Sequence, residues 1–139
     1  MKKLLLTAAC AIFLISSYGQ SLEKGNAVGQ HIGTVNLNSD VTYNQWKSFM
    51  ISAWLPALNK EFNGDCKAYF IEGERGHYKS NSALLLVFTS VEARNKNWPE
   101  FQKSSDAYNI IFNKLLPLKE KFDQLGEFKI ESSSGWIVQ

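Results

Sequence analysis

Between residues 43 and 63 the apolar side chains Trp46, Phe49, Met50, Trp54, Leu55, Leu58 and Phe62 recur at spacings of three and four, which places them on one face of an amphipathic helix. Pro56 lies inside this stretch. Proline lacks the backbone donor and clashes with the preceding turn, so a kink near residues 52–55, or two shorter helices meeting there, is expected. Thr42 is the candidate N-cap, and Asn63-Gly64-Asp65 supplies turn chemistry at the far end. A second stripe of the same spacing, Tyr108, Ile111, Leu115, Leu118, Phe122 and Leu125, predicts a helix over about 105–125 with another break at Pro117. Ser90 opens a short polar helix that must stop before Pro99.

Alternation at period two marks the strands. Residues 31–37 (HIGTVNL) predict a first one, and residues 66–72 and 82–89 a second and third joined by the glycine-bearing segment 73–81. In the third, Leu84, Leu86 and Phe88 alternate with Ala83, Leu85 and Val87, so both of its faces are apolar. The second reads the same way, with Ala68 and Phe70 against Tyr69 and Ile71. Strands hidden on both sides belong in the middle of a sheet. A last strand is expected over 128–130 and 135–138, interrupted at the serines. The order strand, helix, strand, strand, helix, strand predicts an α+β, ferredoxin-like βαββαβ domain: a four-stranded antiparallel sheet with helices on one face.

The first nineteen residues read differently. Lys2 and Lys3 precede an apolar run from Leu4 to Ile15, followed by the small residues Ser16, Ser17 and Gly19. That order is a secretory signal, and the run is too short for a bilayer span, which needs roughly 20 residues. We expect residues 1–19 to be a signal peptide, 20–29 a flexible polar lead-in, and 30–139 one domain of an exported chain, periplasmic or secreted. A lipoprotein reading at Cys10 would strand Phe13-Leu14-Ile15 in the mature protein and is set aside.

Export changes the charge and the cysteine count. The leader holds two of the 15 basic residues and none of the 13 acidic ones, leaving 13 against 13. A neutral chain with no basic run lacks the footprint of a nucleic-acid binder. Cys10 leaves with the leader, so Cys66 stands alone and no intramolecular disulfide is available. No stable membrane span is expected in the mature chain.

The element order and the doubly apolar strands resemble the dimeric α/β-barrel superfamily over about residues 30–139, and Trp54-Leu55-Pro56 ahead of Gly73-Glu74-Arg75-Gly76 is similar to its small exported members. The resemblance implies a homodimer that pairs two sheets face to face, with a pocket between sheet and helices. It also implies a family that includes cofactor-poor monooxygenases and haem-degrading enzymes.

Two clusters are candidates for chemistry. Trp46, Met50 and Trp54 share a helix face beside the expected kink and, with Tyr69, are placed to line an apolar ligand pocket; the same stripe also reads as core. The segment Glu72-Gly73-Glu74-Arg75-Gly76-His77-Tyr78 holds the other: Arg75 suits a carboxylate, His77 a base, and Glu72 and Glu74, two apart on one face, tend to raise one carboxyl pKa. Its plain alternative is a solvated hairpin. His31 and His77 are the only histidines, too few and too far apart for a zinc site, although one histidine suffices as an axial haem ligand, so haem stays open as a cofactor. Cys66 lacks any catalytic signature around it, and no phosphate loop, dinucleotide fingerprint or serine-hydrolase elbow occurs. The expected role is therefore binding of a small apolar or aromatic ligand, with a cofactor-poor or haem-linked enzyme and a protein-interaction module as alternatives.

Overall fold

A computed structural model describes residues 21–139; the expected signal peptide lies outside them. Helix α1 (Tyr43–Phe49) starts in a capping box. The Thr42 hydroxyl accepts from Gln45 N–H, and the Gln45 side chain accepts from Thr42 N–H at 2.8 Å, so two orphan donors of the first turn are satisfied. The break expected ahead of Pro56 takes the form of one π-helical turn, Met50–Trp54, in which Leu55 N–H reaches five residues back to Met50 O. Helix α2 (Leu55–Glu61) then restarts with Pro56 in its first turn, where a missing N–H costs nothing. Three further helices follow, α3 (Val91–Asn97) capped by Ser90, α4 (Asp106–Lys114) capped by Ser105, and α5 (Leu116–Leu125), with Leu115 marking the break that Pro117 imposes.

The strands are β1 (Ala27–Leu37), β2 (Cys66–Glu72), β3 (Ser82–Phe88) and β4 (Gly126–Ile137). They form one open antiparallel sheet in the order β2-β3-β1-β4. The chain is thus an α+β fold. Two sequence expectations change here. β1 begins at Ala27, within the expected lead-in, because Ala27 pairs with both Phe88 and Ile137 and is wholly buried, while the Asn26 amide is tied to Thr89 O at 3.0 Å. And β2 is an edge strand, not an interior one. It pairs with β3 alone, leaving Lys67, Ile71 and Glu72 exposed; the second interior strand is β1, whose Gly, Gln, His and Thr residues disguised it.

β4 runs through the serines without interruption. Its register against β1 shifts between Ile32 and Gly33, where Glu131 is the unpaired extra residue of a bulge.

The register sorts the side chains. Cys66, Ala68, Phe70, Leu84, Leu86, Phe88, Ala27, Val35 and Phe128 face the helices and join Trp46, Met50, Trp54, Leu58, Phe62 and Leu115 in one core. The opposite face carries Tyr69, Ile71, Ala83, Leu85, Val87, Val28, Ile32 and Trp136, none of which belongs to that core.

Candidate functional site

On the helix-facing side of the sheet the register sets Leu86, Gly29 and Gly135 in one row across β3, β1 and β4. A Cβ built on Gly29 meets only Leu86 Cβ, at 3.7 Å, and one on Gly135 meets nothing within 4 Å. Two neighbouring positions without side chains leave a hollow in an otherwise filled surface. The hollow becomes a cavity of about 260 Å³ because α3 and the segment 98–102 arch over it.

Leu86 and Phe88 form its apolar floor, Trp98 a wall, and Phe101 an exposed flap. Trp98 is held by rings on three sides, with centroids 5.7 Å from Phe88, 6.2 Å from Phe62 and 4.3 Å from Tyr108. Pro99 follows the end of α3, and the Trp98-Pro99 pair builds this wall.

The polar groups are few. His31 of β1 lines the cavity, and its Nδ1 is 2.8 Å from Ser133 Oγ on β4. Burial lowers the imidazole pKa, which keeps the ring uncharged near neutral pH. Arg94 and Asn95 enter from α3, and Glu100 and Gln102 from the covering segment. Glu100 is already paired with Lys103 at 3.2 Å.

The six residues singled out from the sequence do not form one site: Trp46, Met50 and Trp54 share the core, and Tyr69, Arg75 and His77 lie away from it. Trp46 and Met50 are sealed in the core, with 0% and 1% exposure. Trp54 touches a second depression of about 440 Å³, shared with Phe112, Phe122 and Phe128, which is wider and more open to solvent; of its rim charges Lys119 and Asp123 pair with each other, and Glu127 stands beside them. Tyr69 stands on the opposite face of the sheet. Arg75 and His77 project from the exposed loop 73–81, Arg75 on Glu74 at 3.1 Å and His77 edge-on to Tyr78. The Lys47 ammonium and the Tyr43 hydroxyl hold the Glu72 carboxyl below its ordinary pKa instead of letting it rise.

Sequence reading missed the cavity residues Gly29, Arg94 and Phe101, and Gly135 with them. The available signal was a glycine within a strand, which marks room or close approach. That signal is hidden because Gly29 lies in a polar stretch that reads as a flexible lead-in.

Among the described residues, no group of three or more His, Cys, Asp or Glu is placed to hold a metal ion, and no helix is long and apolar enough to cross a membrane. No family model matches the chain, and no curated protein matches it. Among solved structures, a chain titled "Structural Genomics, protein YJCS" is similar at 13% identity, with 82% of this chain and 99% of that one covered and a TM-score of 0.42. Nothing about the site follows from a likeness of that level.

Proposed function

We propose that this chain is an exported, ferredoxin-like homodimer that binds a small apolar or aromatic molecule between its sheet and α3. The observation that carries the binding half is the roofed hollow over Gly29 and Gly135, with Leu86, Phe88 and Trp98 around it. At about 260 Å³ it lies just below the ~300–1,000 Å³ of drug-sized sites, which suits a molecule built on one ring. Trp98 is the natural reporter. Saturable quenching of tryptophan fluorescence by indole, by benzene derivatives or by haem, lost in Trp98→Phe, is the expected result. A flat response across such a panel removes the binding reading.

The dimer half draws on the strand order and on the second sheet face. A second copy set face to face would cover Ile71 and Trp136, which are 42% and 61% exposed, together with Leu85 and Tyr69 beside them. Light scattering should return twice the protomer mass, and Trp136→Glu should halve it; a monomer at high micromolar concentration ends this half.

An enzymatic role has one specific support: an imidazole kept uncharged at the cavity wall is a competent base. Turnover lost in His31→Ala with ligand binding retained would favour that role.

A further inference from the structure

Arg94 and Trp98 are four residues apart, so they share one face of α3, and both line the cavity. The guanidinium spends little of its capacity. Its Nε and one Nη donate to the single oxygen Asn95 Oδ1, at 3.1 and 2.9 Å. An arginine has five N–H donors in a planar fork. The remaining three have no acceptor among the described residues, and no carboxylate stands within ion-pair distance. The one acid at the opening, Glu100, is engaged by Lys103. The cavity therefore pairs an apolar body with a single uncommitted cation, and no anion among the described residues answers it.

We infer that the ligand is a small monocarboxylate with an aromatic or branched apolar body, its carboxylate on Arg94 and its body against Leu86, Phe88 and Trp98. This rests on the cavity being the binding site, as proposed above. A carboxylate is preferred over a phosphate on two grounds. Its two oxygens match two parallel N–H groups of one guanidinium. A dianion drawn into a mostly apolar hollow against one cation would keep an uncompensated charge. His31 adds a neutral partner: with Nδ1 on Ser133, its Nε2 is left for a polar substituent of the ligand.

The test uses matched pairs on the purified protein, titrated by calorimetry: benzoate with benzamide, phenylacetate with phenylacetamide, 4-methylpentanoate with its amide. We expect at least one acid to bind ~10-fold or more tightly than its amide, the size of one charge-assisted contact. Arg94→Gln should bring acid and amide together while amide affinity and the circular dichroism spectrum stay as they were. Arg94→Lys, which keeps charge and loses the fork, should restore only part of the difference. Acids and amides binding alike to the native protein would overturn the role of Arg94 and leave the cavity standing as a site. No binding by any member of any pair at millimolar concentration would remove the cavity reading and this inference with it.

Discussion

His31 Nδ1 and Ser133 Oγ lie 2.8 Å apart across the β1–β4 pair, a hydrogen bond that fixes the imidazole plane at the wall of the cavity. Burial lowers the pKa of this histidine from 6.5. The sign of the linkage follows: the unfolded chain takes up the proton first as pH falls, so stability present above about 6.5 drains away below it. We expect the native protein to lose more stability between pH 7.5 and 5 than His31→Gln does, read from urea midpoints at each pH. Parallel losses in the two proteins would mean that His31 titrates as if in water.

Gly29 and Gly33 sit on the same strand and face, yet they should tolerate a methyl group very differently. At Gly33 a Cβ falls 2.1 Å from Lys129 O and 2.9 Å from Lys129 C, backbone atoms next to the Glu131 bulge, so the strand must shift. Gly33→Ala should cost about 1–3 kcal/mol in thermal or urea unfolding. At Gly29 the same atom makes an ordinary 3.7 Å contact with Leu86 Cβ. Gly29→Ala should melt close to the native protein and, by raising the cavity floor, weaken ligand binding. A large loss of stability at Gly29, or none at Gly33, would contradict the register given for β1.

Trp46 is fully buried, with ring centroids 5.6 Å from Phe70 and 5.3 Å from Phe122, and its Nε1 has no hydrogen-bond partner. Removing the ring and removing the orphan donor therefore pull in opposite directions. Trp46→Ala should destabilise by about 3–5 kcal/mol. Trp46→Phe loses area but also relieves an unpaired buried N–H, itself costing about 1–3 kcal/mol, so it should be much the milder change in urea unfolding. Equal losses from the two would show that the indole N–H is satisfied in solution.

Cys66 is 3% exposed, and desolvation, aided by the neighbouring Asp65 carboxylate, pushes its thiol pKa far above the ordinary range. Iodoacetamide at pH 8 should leave Cys66 of the folded protein unlabelled and modify it fully in urea, read by peptide mapping of that residue. Stoichiometric labelling of the folded chain would show that β2 opens readily at this edge of the sheet.

Legibility in the sequence varied with the range of the interactions involved. Pro56 and Pro117 announced their breaks, since a missing donor acts within one turn, and Thr42 and Ser90 marked helix starts for the same local reason. The π-helical form of the first break was not legible, because it depends on how Met50 and Trp54 must both reach the core. β2 misled for a different reason. Apolar residues on both faces imply an interior strand, whereas Tyr69 and Ile71 stand on the face that the helices leave uncovered, at an edge.

The candidate site divides along the same line. The chain by itself determined which residues form helices and strands and that Trp46 and Met50 share one apolar stripe, because periodicity reports which side of an element is buried. Only the tertiary structure decided that this stripe is core and that the hollow lies elsewhere. Gly29 and Gly135 come from opposite ends of the chain and make a cavity only once β1 and β4 pair in one register, with α3 bringing Arg94 and Trp98 over them. A void is a property of several positions at once, and no local pattern of apolar and polar residues records it.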